Sequence, residues 1–217
     1  MSFDIAKTPT LEAVATADEQ VLAQDLRERV AELVDASEQR PEVVEAAESQ
    51  RAAADRLEKL RVSQRVLNQF AKDARERLAK IGRGAIDAAV ASAESGKVEF
   101  GKLNELVTAE YHDRYASRAL QQIAEHLIPL AHIASLRAES HAMLAAGRAL
   151  ENLAQERAEK LLVQMRDAVT EEMVLPVDLS KGVVGALLSR AEGLKRRAVQ
   201  ISESADEAER KYTEVRR

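Results

Sequence analysis

Apolar residues recur at alternating three- and four-residue steps through two long stretches of the chain. One series runs Val43, Ala46, Gln50, Ala53, Leu57, Leu60, Gln64, Leu67, Ala71, Ala74, Leu78, Ile81, Ala85, Ala88, with only the two glutamines out of pattern. The other runs Val184, Leu187, Ala191, Leu194, Ala198, Ile201, Ala205, Ala208, Tyr212, Val215. A 3.5-residue repeat keeps one narrow seam turned toward a neighbouring helix, so both stretches predict coiled-coil helices or the long arms of a bundle. The glutamines either fix register inside the seam or lie at its edge.

Punctuation between the periodic stretches sets the remaining boundaries. A first helix is predicted over 8–39, with Pro9 in its first turn and an apolar stripe through Leu11, Val14, Val21, Leu22, Leu26, Val30 and Leu33. It should stop before Pro41, which disfavours the α conformation at the preceding residue and suits the first position of a second helix, 41–94. A third helix over 100–173 is expected to kink at Pro129, where a backbone hydrogen bond is lost. Around that proline the stripe broadens to Leu120, Ile123, Leu127, Ile128, Leu130, Ile133 and Leu136, which predicts the densest part of the core there. Residues 174–178 read as a loop, and a last helix over 180–216 has Ser180 as cap with Leu179 and Val184 as a hydrophobic staple. Residues 1–7 are expected to be flexible. The expected fold is therefore all-α: a single domain, 1–217, forming an elongated antiparallel bundle or coiled coil of about four long helices.

Composition agrees with that pattern. Ala, Glu, Arg and Leu dominate, aromatics are 3%, and no run of β-branched residues reads as a strand. There is no cysteine, hence no disulfide or thiolate chemistry. No signal-peptide pattern opens the chain, and its longest uncharged run, 126–136, is short of the ~20 residues a spanning helix needs. A cytoplasmic protein is the expectation. With a net charge of −5, a nucleic-acid partner is not expected.

Charge is nevertheless uneven, with a net of +3 from Ser180 onward. Lys195, Arg196 and Arg197, then Arg210, Lys211, Arg216 and Arg217, form two basic clusters that would suit an anionic membrane surface. Intervening Glu203, Asp206, Glu207 and Glu209 dilute them.

Chemical motifs were weighed in turn. The stretch Gly96-Lys97-Val98-Glu99-Phe100-Gly101-Lys102-Leu103 has phosphate-loop spacing, but Leu103 replaces the magnesium-binding hydroxyl and no strand precedes it; it reads as a turn between helices. Four histidines fall within thirty residues: His112, His126, His132 and His141. None has a carboxylate or another histidine three or four residues away, as helical metal sites require. A metal held from separate helices would use His126 and His132. Otherwise those two are expected to bond between helices, with His112 and His141 exposed. No nucleophile elbow or triad context occurs, and no cofactor is expected. The leading functional expectation is a non-enzymatic scaffold or adaptor that works through coiled-coil surfaces, as a homodimer and with a protein partner. A lipid-binding helical dimer and a metal-binding bundle are the alternatives.

Overall fold

The structure is a computed structural model, in which residues 11–96, 100–168 and 182–215 are described. No strand occurs among them. The elements are α1 (Leu11–Glu38), α2 (Pro41–Ser95), α3 (Phe100–Gln122), a π-helical turn (Ile123–Leu127), α4 (Ile128–Ala168) and α5 (Gly182–Glu214). The expected start at Thr8 and Pro9, the loop 174–178 and the Leu179–Ser180 cap lie outside the described residues.

The seam periodicity translates directly into burial. From Val43 to Ile81 every member of the first series is buried or half-buried, Gln50 and Gln64 included as half-buried edge positions. In α5 the same holds from Val184 to Tyr212, and only the terminal Val215 is exposed. Gly82 and Gly84 leave α2 uninterrupted. The helix ends at Gly96, whose φ of 65° is the left-handed position that closes many helices. The phosphate-loop spacing thus begins at a helix C-terminus, not after a strand.

The turn between α1 and α2 is built from local bonds. Ser37 Oγ donates to the Val34 carbonyl at 2.7 Å. Arg40 N–H donates to the Ser37 carbonyl at 3.2 Å, and the Arg40 carbonyl accepts from Val43 and Val44 at 2.9 and 3.0 Å. Pro41 thus takes the first helical position, where its missing N–H leaves nothing unpaired.

At Pro129 the helix is irregular, and the irregularity is a π-helical turn. The Ile128 N–H donates to the Ile123 carbonyl, five residues back. Because Pro129 has no N–H to offer, widening the turn just ahead of it lets the helix continue. Buried positions are Ala109 and Ala116 before the turn, and Ala131, Ile133, Ser140, Gly147, Ala149, Leu150 and Ala154 after it.

This overturns the expectation of a dense core around Pro129. Of the expected stripe only Ile133 is buried; Leu127 and Leu130 are exposed, while Leu120, Ile123, Ile128 and Leu136 are half-buried.

The chain forms two compact units, each assembled from separated segments: Met1–Ser49 with Ala138–Ser202, and Gln50–Arg137 with Glu203–Arg217. In the first unit, Val34, Leu150, Ala154, Val184, Leu187 and Ala191 make a buried cluster, with Val30, Leu33 and Leu194 packed against it. There α4 and α5 approach closely. A Cβ added at Gly147 would lie 3.2 Å from the Ala191 carbonyl oxygen, and Ser140 Oγ donates to the Ala198 carbonyl at 2.8 Å. Small residues at Ser140, Gly147, Ala191 and Ala198 are what permit that separation. Lys195 Nζ meets both carboxylate oxygens of Glu151 at 2.6 Å, and Arg40 bonds Glu156 at 2.8 Å.

In the second unit, α2 and α3 pack through alanines. Ala71, Ala74, Ala109 and Ala116 are buried, and Arg75 reaches Asp113 at 2.8 Å and Ser117 at 3.2 Å. Phe70 meets His112, and residues from Asp73 to Ile81 share a cleft with residues from Thr108 back to Asn104. Numbers rise along one helix as they fall along the other, so α2 and α3 run antiparallel.

Candidate protein-docking surface

An alanine seam brings two helices close but buries little area per residue, so larger apolar side chains at its margins stay in water. On α2 the margin carries Val62, Val66 and Phe70, and on α3 it carries Val107, Tyr111 and Tyr115. Within each helix these are spaced four apart, the spacing that aligns side chains along one face. All six are exposed: Val66 by 64%, Phe70 by 41%, Tyr111 by 66% and Tyr115 by 61%. The chain has only three tyrosines and three phenylalanines, and three of those six aromatics gather here.

The two stripes share a groove. Val66, Leu67, Phe70, Tyr111, His112 and Tyr115 line a shallow depression of about 610 Å³. The Phe70 and His112 rings lie 5.4 Å apart and tilted, and meet across the seam. The Tyr111 and Tyr115 rings stand nearly parallel, their centroids 6.3 Å apart at 17°. A contiguous exposed apolar face of this kind marks an interaction site far more often than scattered apolar residues do. Tyrosine suits that role because it combines a large contact area with a polar tip.

Charge on the two helices is mixed, and over 104–118 α3 holds Glu105, Glu110 and Asp113 against Arg114 and Arg118. Residues 58–80 of α2 hold Lys59, Arg61, Arg65, Lys72, Arg75, Arg77 and Lys80 against Glu58, Asp73 and Glu76, a net of +4 in a chain of net −5. Lys59 is paired with Asp55, Arg65 with Glu58, Arg75 with Asp113 and Arg114 with Glu110. Arg61, Lys72 and Arg118 are exposed and form no ion pair among the described residues.

The residues singled out in the sequence are placed elsewhere. The histidine expectation is corrected for two of the four. His132 is exposed, whereas His112 is half-buried and meets Phe70 of α2. His126 sits in the π turn with its ring edge-on to Tyr212 at 6.5 Å, its Nδ1 buried without a partner; His141 is exposed. Among the described residues no three His, Asp or Glu side chains are grouped to hold a metal, and His126 and His132 are not brought together with carboxylates.

The basic residues of α5 are largely engaged with acids. Lys195 is held by Glu151, Arg196 by Glu192 at 3.2 Å, Arg210 by Glu214 at 3.9 Å and Lys211 by Glu207 at 2.7 Å. Hydrogen bonding to Lys211, and then its charge, holds the Glu207 carboxyl below the ordinary glutamate value. Arg197 is exposed; Arg216 and Arg217 lie outside the described residues. Among the described residues, no helix is long and apolar enough to cross a membrane.

The sequence reading missed Phe70 and the valines and gave Tyr111 and Tyr115 no role. The available signal was apolar residues at four-residue spacing lying off the heptad seam. Comparison of the chain with protein-family models, curated proteins and solved structures found no match.

Proposed function

We propose that this protein is a non-enzymatic helical scaffold or adaptor, an antiparallel helical bundle that seats a helix of another protein on the α2–α3 face. The observation that carries the reading is the exposed apolar groove walled by Phe70, Tyr111 and Tyr115. Two antiparallel helices with marginal apolar stripes offer the ridges and grooves that a third helix fills. Rigid aromatic anchors at the centre of such a face supply most of the binding energy of known interfaces. The rest of the chain would then serve to hold α2 and α3 in register.

The test is site-specific photo-crosslinking in the host organism, with a benzophenone-bearing phenylalanine at position 111 and, as control, at the exposed position 197. The reading expects a discrete protein adduct at 111 that is absent at 197 and lost on adding Phe70→Ala. Adducts of equal yield at both positions, or none at 111, would contradict it.

A further inference from the structure

Helices α1 and α2 carry exposed stripes of opposite charge built on the same spacing. On α1, Asp25, Glu28, Glu32 and Asp35 follow one another at steps of three, four and three. On α2, Arg61, Arg65, Asn68, Lys72 and Arg75 follow at steps of four, three, four and three. Such steps align side chains along one face of a helix, and all nine residues are exposed. We infer that the protein associates with itself, the acidic stripe on α1 of one copy lying along the basic stripe on α2 of the next.

Neither stripe belongs to a packed face. Leu26, Val30, Leu33, Val34 and Ser37 are the buried and half-buried positions of this part of α1. At about 100° per residue they lie on the side of the helix opposite the four acids. By the same geometry Arg61, Arg65 and Lys72 lie across α2 from Phe70, so the contact is separate from the α2–α3 groove.

The charges are poorly answered within the chain. Glu32, Asp35, Arg61 and Lys72 form no ion pair among the described residues. Asp25 and Arg65 meet residues of their own helices, Arg29 at 3.4 Å and Glu58 at 2.8 Å, and Glu28 accepts a hydrogen bond from Gln24 at 3.2 Å. Exposed pairs of that kind are weak and exchange readily. Arg75 is engaged by Asp113 and Ser117 of α3, which leaves Arg61, Arg65 and Lys72 as the stripe open to a partner.

Length and charge fit a second copy. Asp25 to Asp35 spans about 15 Å and Arg61 to Lys72 about 17 Å at 1.5 Å per residue. Residues 24–39 hold Asp25, Glu28, Glu32, Asp35 and Glu38 against Arg27 and Arg29, a net of −3, which complements the net +4 of residues 58–80. Because the two stripes are different surfaces, one face of a copy meets another face of the next. No large apolar side chain interrupts either stripe, so the attraction is electrostatic and screened by salt. A nucleic acid would use the basic stripe and be repelled by the acidic one.

Sedimentation velocity of the full chain over a concentration series provides the test. Association is expected at low ionic strength, its constant falling at least about tenfold as salt rises from about 0.05 to about 0.5 M. Two charge-reversed chains give the sharper comparison. One carries Glu28→Lys, Glu32→Lys and Asp35→Lys, the other Arg61→Glu, Arg65→Glu and Lys72→Glu. Each by itself should be monomeric with unchanged helicity by circular dichroism, since its two stripes then have like charge. Mixed, the two should associate, because each offers the stripe that the other lacks. Tyr111→Ala with Tyr115→Ala should leave the native association unchanged. A native chain that is monomeric at low salt overturns the proposal, and so does a mixture of the reversed chains that stays monomeric. Association that survives reversal of either stripe also overturns it, as does association lost with the tyrosines, which would place the contact in the groove. A monomeric chain that binds a single-stranded oligonucleotide through Arg61, Arg65 and Lys72 would make the α2 stripe a nucleic-acid surface instead.

Discussion

Gly147 and Gly82 are both helical glycines, yet the structure assigns them opposite consequences. At Gly147 a larger side chain would press on the Ala191 backbone, a partner that cannot swing away. Gly147→Val is therefore expected to destabilise the first unit by about 1–3 kcal/mol through overpacking. Nothing lies within 4 Å of a Cβ added at Gly82 or Gly84, so Gly82→Ala and Gly84→Ala should each stabilise by about 0.5–1 kcal/mol. Urea unfolding of the three variants checks both signs. Leu187 is completely buried in the cluster, and Leu187→Ala should cost about 2–5 kcal/mol. Glu207 gives a residue-level pH prediction. Its carboxyl is lowered by the hydrogen bond to Lys211, so whatever the pair contributes is present above the ordinary glutamate value and is lost as pH falls through the lowered folded value. In Lys211→Met, Glu207 should titrate at higher pH than in the native chain, as carboxyl NMR would show; an unmoved titration would contradict the assignment.

Helices were the most legible elements, for a reason visible at Ala71 and Ala74. Seam periodicity depends only on which residues face a neighbour, and a 3.5-residue repeat encodes that without naming the neighbour. Val43 through Ile81 therefore read correctly, as did the stop before Pro41 and the helix end at Gly96. The π turn did not, because Pro129 announces a missing donor but not how the helix absorbs it. Nor does a broad apolar stripe say how many of its members find a neighbour, and of the residues around Pro129 in that stripe only Ile133 is buried. The docking face was hidden for a different reason. Val66, Phe70 and Tyr115 look like core residues until the register of α2 against α3 is known. That register is set by long-range contacts such as Arg75 with Asp113. It also decided that His112, not His132, would meet another helix. At this scale Tyr111→Ala and Tyr115→Ala, made on exposed positions, should change unfolding free energy by no more than about 0.5 kcal/mol while removing partner binding. A large loss of stability would make the tyrosines structural.

For the whole molecule, the placement of charge speaks to function more than its total does. A net of −5 describes the chain poorly when 58–80 are strongly basic and most cations of α5 are paired with neighbouring acids. Exposed pairs of that kind contribute little stability each, about 0–1 kcal/mol. Scarcity of aromatics makes their clustering at one face informative.

That scarcity also provides the most direct measurement. An aromatic ¹H–¹³C spectrum of the chain contains three tyrosines, three phenylalanines and no tryptophan, so Phe70, Tyr111 and Tyr115 can be followed individually. Tyr212, beside His126, serves as the internal control. On titration with the protein captured by crosslinking at position 111, the account predicts progressive shifts at Phe70, Tyr111 and Tyr115 and none at Tyr212. Equal shifts at Tyr212, or no shift at Tyr111 and Tyr115, would contradict it.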